Sequence, residues 1–391
     1  MTERYLYELA RKLIAEDTVS HRASLATLEW LGDRLEDQGF RVRLQRWEEA
    51  GAAKANLVAS AGPPEAHGLI LSGHVDVVPF ADQPGWTRDA LQLKIEDERV
   101  YGRGTSDMKG FLAHCMDAAR RLDPASLERP LVLLFSSDEE VGARGAGRLV
   151  PELPVPGVAW VGEPTSGRAF PVHKGVVAFG IRIEGRGGHS SVPEAGVNAV
   201  AVAARALQVV AALQVERARD ASSLWEAVFP EAPYTTLNVG PIRGGSATNM
   251  IPEACEVAVS YRPVPDEDPL TLYAELRARL AAADLRDPGS GRTARVALSE
   301  PLVAPALQAR RGTALEAALG EELGAAVGGG APFCTDGGQL ASAGIDALVC
   351  GPGDLAEAHR PDESLSRRAF ETEAEDVLRV VRSLCGGRLR A

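Results

Sequence analysis

The chain has 391 residues, too many for one ordinary hydrophobic core, so two domains are expected. Its composition, 45% hydrophobic and 25% charged, is that of a soluble globular protein, and no apolar run approaches the roughly 18 residues needed to cross a bilayer. A net charge of −12 argues against nucleic acid or an anionic membrane as the main partner.

The N-terminal stretch "MTERYLYELARKLIAEDT" carries charges throughout, and its apolar positions recur at helical spacing over 3–15. A signal or transit peptide reads differently, so the expected location is the cytoplasm. A second helix is predicted over 24–38, closed by Gly39. Apolar runs at 69–71, 131–135 and 158–161 read as buried strands, with an amphipathic helix over about 108–122 between the first two. This alternation predicts an α/β sheet with helices on its faces. In such sheets function collects at the carboxyl ends of the strands.

From about residue 175 the pattern changes. "GVVAFGIRIEGRGGHSS" alternates like a strand and runs into a glycine-rich turn, and "NAVAVAARALQVVAAL" is helical. Two further strands, "YTTLNVGPIRGG" and "CEVAVSYRPV", precede the helix "PLTLYAELRARLAAA". The order predicts a small α+β domain over 175–298, inserted into a domain made of 1–174 and 299–391. The α/β pattern then returns with "IDALVCGPG" as a strand and "RRAFETEAEDVLRVVRSLC" as the last helix. The five cysteines, Cys115, Cys255, Cys334, Cys350 and Cys385, form no CxxC pair and are expected to be reduced, mostly buried thiols.

Polar residues gather where the predicted strands end. His74 and Asp76 lie in "SGHVDVVP", and on a strand positions i and i+2 address one face. Asp107 lies in "YGRGTSDMKG" before a helix, Glu139 and Glu140 in "SSDEEVG", Glu163 in "VGEPT", and His359 in "CGPGDLAEAHRPDE". Any one of them alone reads as a helix cap, a turn residue or a satisfied core pair. Together they predict five strand ends that deliver His or carboxylate groups to one edge of one sheet. Imidazole and carboxylate donors without cysteine suit zinc or a similar divalent ion in a hydrolytic site with open positions. The donors outnumber what one tetrahedral ion takes. They suit two ions sharing a carboxylate, and one further carboxylate is then free to act as a base.

These segments, with "GRGGHSS", resemble in order and over essentially the whole chain the M20 family of dinuclear metallo-aminoacylases and peptidases. Within that family "YGRGTSDMKGF", "HKGVVAFGIRIEGRGGHSS" and "VCGPG…AHRPDE" are most similar to the acetylornithine deacetylases. The resemblance implies a zinc-peptidase-like catalytic domain, a mixed sheet flanked by helices, with an inserted α+β lid or dimerisation domain. It implies two divalent ions, Zn2+ or alternatively Co2+, with His74 and Glu163 on one, Glu140 and His359 on the other, and Asp107 bridging. Asp76 would hydrogen-bond His74 and fix its ring, and Glu139 would move the proton between water and the leaving amine. His189 would stabilise the oxyanion, reaching in from the partner of a homodimer. Asn249 and Arg262 would bind substrate, and so would Thr335, Asp336, Gly337 and Gly338 of "CTDGGQL". The Asp107–Met108 peptide is a candidate for the cis form that the family often shows. The implied reaction is deacylation of an N-acyl amino acid, N-acetylornithine to ornithine and acetate. A desuccinylase of succinyl-diaminopimelate, a carboxypeptidase or a dipeptidase would use the same metals. Asp336 departs from the Glu usual in acetylornithine deacetylases and bears on that choice. A non-catalytic binding protein on the same fold and a cysteine hydrolase using Cys334 or Cys350 are the readings from other classes.

Overall fold

A computed structural model describes residues 2–64, 67–150, 153 and 157–390. They divide into two compact units, Met1–His173 with Leu307–Ala391, and Lys174–Ala306. The return to the first unit falls later than the sequence-based boundary at 298/299. Arg295–Leu298 and Leu302–Ala304 both pair with Val176–Glu184, and this keeps the chain in the second unit until Ala306.

The first unit is built on a six-stranded mixed sheet in the order Arg41–Glu49, Ala52–Ala61, Leu131–Ser136, Gly68–His74, Gly157–Val161, Asp346–Val349. The last four run parallel, and the first two form an antiparallel hairpin at one edge. The inner strands Leu131–Ser136, Gly68–His74 and Gly157–Val161 are mostly apolar because both faces are covered, whereas the edge strand Arg41–Glu49 is charged and has no buried residue. Leu69, Leu71, Leu131, Leu133, Phe135 and Trp160 pack with the helices Thr2–Ala15, Leu25–Asp37, Lys109–Arg121 and Arg367–Cys385. The alternate residues Ile70, Val132, Leu134, Ala159 and Val161 pack with Leu149 and Leu340 on the other face. One register follows for the site: parallel pairing sets His74 beside Ser136 and Ser72 beside Val161, so the first two strands end level and the third ends two residues short of them. At Gly162 an added Cβ would lie 2.1 Å from the Phe111 ring, so only glycine lets the end of that strand lie against the helix Lys109–Arg121.

The second unit has one sheet face covered and one open. Val176–Glu184, Thr236–Gly244 and Ala254–Arg262 are antiparallel, and buried residues alternate along the first and the last of them. Val177, Phe179, Ile181, Ile183, Val257, Val259 and Tyr261 pack under the helices Ala199–Arg219 and Thr271–Ala282. The first of these helices corrects the expectation that no segment is long and apolar enough to span a bilayer: it has 21 residues, with a mean hydropathy of 1.5 over its most apolar 18. Its residues Val202, Ala203, Ala206, Val210 and Leu213 are buried at the i, i+3/i+4 spacing of a helix packed on a sheet.

Candidate active site

His74 ends its strand with its side chain 1% exposed, and its Nε2 lies 3.2 Å from Asp107 Oδ1, 3.6 Å from Glu163 Oε1 and 4.0 Å from Glu139 Oε2. The other oxygen of Asp107, Oδ2, is 3.1 Å from His359 Nε2, which is also 3.1 Å from Glu140 Oε2. Asp107 thus presents one carboxylate oxygen to each of two histidines, and each histidine has its own glutamate. Glu139, Glu140 and Glu163 follow directly on the parallel strands that end at Ser136 and Val161. The expectation of five strand ends on one sheet is corrected at Asp107, which stands in a loop between the short strand Arg99–Tyr101 of a separate sheet and the helix Lys109–Arg121. Gly110 draws that helix against the loop, since a Cβ there would meet the Thr105 carbonyl oxygen at 2.4 Å. The Asp107–Met108 peptide is cis.

So many buried acidic groups raise one another's affinity for protons. Burial raises the Glu139 carboxyl well above the usual carboxylate range, and the charge of Glu163 adds to this. Burial, then the Asp107 charge, pushes Glu163 up to about 8 and Glu140 to about 7. Burial opposes ionisation of Asp107 as well, but the His359 and His74 imidazoles, 3.1 and 3.2 Å from its oxygens, hold it below the usual range. His359 is raised to about 10 by its hydrogen bonds to Asp107 and Glu140. Burial disfavours a charge on His74, yet Glu163 and Asp107 together raise it well above the ordinary histidine value. His74 Nε2 and Asp107 Oδ1 are buried with no hydrogen-bond partner among the described residues. Oxygen and imidazole donors orphaned side by side fit divalent cations, whose uptake would displace these protons. His74 with Glu139 and Glu163, and His74 with Asp107 and Glu140, each bring ligand atoms within 4.8 Å of one another.

Residues 70–383 match the peptidase family M20/M25/M40. The chain belongs to the M20 peptidase family. It is 36% identical over 390 residues to an acetylornithine deacetylase of Shigella sonnei, with 97% of each chain covered. Among solved structures, an M20 family metallo-carboxypeptidase of Sulfolobus solfataricus superposes with a TM-score of 0.77 at 18% identity, covering 97% of this chain and 98% of that one. A di-peptidase of Saccharomyces cerevisiae superposes with a TM-score of 0.74 at 16% identity, covering 97% and 96%. At such identities these structures speak to the fold. The M20 family is dinuclear and metal-dependent, and the chain is a metal-dependent hydrolase most like acetylornithine deacetylase.

Two residues expected at the M20 site are held differently from the expectation. His74 Nδ1 is hydrogen-bonded at 2.9 Å to the backbone carbonyl of Asp76, while the nearer Asp76 carboxylate oxygen stands 3.6 Å away. The strand has ended at His74, so the two-residue alternation no longer governs where the Asp76 side chain points. That carboxylate instead accepts the N–H groups of Glu139 at 3.1 Å and Glu140 at 3.3 Å and the Ser20 hydroxyl at 2.8 Å. It fixes the loop that carries both glutamates. Asp76→Asn, which keeps the carbonyl on His74 but weakens this grip, is expected to lower kcat by about 10- to 100-fold. Two ions should still bind; an unchanged kcat would remove this role.

Thr335, Asp336 and Gly337 were expected to face substrate, but all are buried. Thr335 Oγ1 caps the Gly337 N–H at 3.0 Å and meets His173 Nε2 at 3.1 Å, and Asp336 accepts the Ser136 hydroxyl. Asp336 therefore braces the end of the sheet from below. Its charge also adds to the rise of the Glu139 carboxyl.

His189, Asn249 and Arg262 belong to the second unit. His189 is exposed on the short strand Gly188–His189, paired with Met250–Ile251. Its Nδ1 accepts the Ser191 N–H at 3.3 Å and lies 2.7 Å from the Ser191 hydroxyl, so the neutral ring carries its proton on Nε2. Asn249 is exposed, and its carbonyl accepts the Ser190 N–H at 3.1 Å. Arg262 ends its strand exposed and makes no ion pair among the described residues.

Sequence reasoning missed Glu363, which is buried and paired with Arg103 at 2.7 Å, although it stands inside the motif "AHRPDE". An acid four residues beyond a candidate ligand was the available signal. Cys350 is buried, and burial pushes its thiol far above the ordinary range, which leaves it inert as a nucleophile.

Proposed function

We propose that the chain deacylates N-acyl amino acids and that its substrate is N-acetylornithine, giving ornithine and acetate. The observation that carries the dinuclear site is Asp107, one oxygen facing His74 at 3.2 Å and the other facing His359 at 3.1 Å. His74 and Glu163 would hold one ion and Glu140 and His359 the other, with Asp107 shared. The donor set of imidazole and carboxylate fits Zn2+, with Co2+ able to replace it. Bound ions would supply positive charge that acidifies water and polarises the acyl carbonyl.

The rest falls to the protein's own groups. Glu139, its backbone fixed by Asp76 and its carboxyl raised by burial, takes the proton from the attacking water and returns it to the leaving amine. The His189 Nε2–H is an exposed donor suited to the developing oxyanion. Arg262 suits the substrate carboxylate, which a guanidinium can grip through two hydrogen bonds, and Asn249 adds a polar contact.

A homodimer through the Lys174–Ala306 unit is part of the proposal. It is supported by the edge strand Thr236–Gly244, with Ile242 51% exposed, and by Met250 and Val215 at 50% and 53%. Five cysteines that form no CxxC pair, four of them buried, fit a reducing compartment such as the cytoplasm.

The 36% identity to an acetylornithine deacetylase over nearly the full length supports the choice of substrate. The test is a panel of N-acetylornithine, N-succinyl-diaminopimelate and dipeptides with added Zn2+ or Co2+. N-acetylornithine is expected to lead in kcat/KM by about 100-fold, the discrimination that a pocket fitted to one group reaches. A lead for the succinyl or peptidyl substrates would overturn it.

A further inference from the structure

The two histidines of the site are supported unequally. The His74 side chain is 1% exposed at the end of a central strand, with its Nδ1 bonded to the Asp76 carbonyl. The His359 side chain is 51% exposed and sits in a loop, at a backbone φ of +62°. A residue with a Cβ stays in that left-handed region only where its surroundings hold it.

A chain of hydrogen bonds does so. Gln83 Nε2 donates to the His359 carbonyl at 2.7 Å, and Gln83 Oε1 accepts from Arg103 Nη2 at 2.7 Å and from Trp86 Nε1 at 3.3 Å. The Arg103 guanidinium lies over the Trp86 ring, 5.0 Å from its centroid, and its Nη1 donates to Glu363 Oε2 at 2.7 Å. Glu363 Oε1 accepts the backbone N–H groups of Gly104, Ser106 and Asp107 at 2.9 to 3.0 Å. The circuit closes through the site, where His359 Nε2 meets Asp107 Oδ2 at 3.1 Å.

We propose that Gln83 is a positioning residue for one half of the dinuclear site, clamping the His359 loop to the loop that carries Asp107. This rests on the two-ion reading given above. Its chemistry is particular to an amide, which can accept from Arg103 and donate to the His359 carbonyl at once. Arg103 and Glu363 are a buried ion pair, and removing either would leave a buried charge unpaired and threaten the fold. Gln83 is neutral and half-buried, so it can be changed alone. The His74 half has its own supports in Asp76 and the central strand, so a change at Gln83 acts on the His359 ion and spares the other.

Gln83→Glu keeps an acceptor for Arg103 and loses the donor to His359. The apo forms of the full-length wild type and of this variant would be titrated with Zn2+ by calorimetry, and their melting temperatures compared. The wild type is expected to bind two ions. In Gln83→Glu one ion should keep its wild-type affinity while the other weakens about 10- to 100-fold, with the apo melting temperature unchanged. Two ions bound with wild-type affinities in the variant would overturn the role of Gln83 and leave the two-ion site standing. Weakening of both ions with a lowered apo melting temperature would make Gln83 a residue of the fold and overturn it too. A wild type that binds fewer than two ions would overturn the two-ion reading, and this inference with it.

Discussion

Glu139→Gln is expected to remove nearly all turnover while both divalent ions stay bound. The amide has the shape of the acid and keeps the backbone N–H that bonds to Asp76 at 3.1 Å, so the loop should hold its position. What it loses is the ability to take a proton from water and deliver it to the amine. General acid–base catalysis contributes about 10^2- to 10^4-fold, and a group used in both transfers belongs at the upper end, so kcat should fall by about 10^4-fold. The same proton transfer is made only in the transition state, so kcat and kcat/KM should fall together with KM unchanged. The geometry offers a definite rival. The Glu139 carboxylate comes within 4.8 Å of ligand atoms on His74 and Glu163, a grouping that could itself hold an ion. Metal analysis of the purified variant separates the two: two ions per chain support the base, and loss of an ion with the activity makes Glu139 a ligand.

The parts of this molecule legible in its sequence are those that local rules govern. The strands ending at His74, Ser136 and Val161 read as unbroken apolar runs because both sheet faces are covered, and the second unit reads as alternation because one face is open. The polar residues just past those ends were legible as a set through their types and positions. What stayed hidden depends on contacts between distant segments. Asp76 was read by strand periodicity, but the strand stops two residues earlier and its carboxylate turns to the Glu139–Glu140 loop. Asp336 was placed at the substrate by the family resemblance, but its carboxylate accepts the hydroxyl of Ser136, 200 residues away in sequence. Gln83 belongs to no motif, and its partners His359 and Arg103 come from loops that only the fold brings together.

Asp107→Ala is expected to cost both ions and, with them, all measurable activity. His74, Glu163, Glu140 and His359 each serve one half of the site, whereas the two Asp107 oxygens face both halves at 3.2 and 3.1 Å. Losing its carboxylate takes a ligand from each ion and the shared negative charge that lets two cations lie close together. Each ion contributes several kcal/mol of charge stabilisation in the transition state, and every 1.36 kcal/mol is tenfold, so the rate should fall on the order of 10^4-fold or more. The fold should survive. The bond from Asp107 to Glu363 is made by its backbone N–H, which alanine retains, and the lost side chain is a charge that burial already disfavours. An apo melting temperature close to wild type, with fewer than one ion bound per chain, is the expected result. His74→Ala and His359→Ala, by contrast, should each spare the ion of the other half. Two ions bound in Asp107→Ala would mean that the carboxylate does not bridge, and the two halves would have to be treated as separate sites.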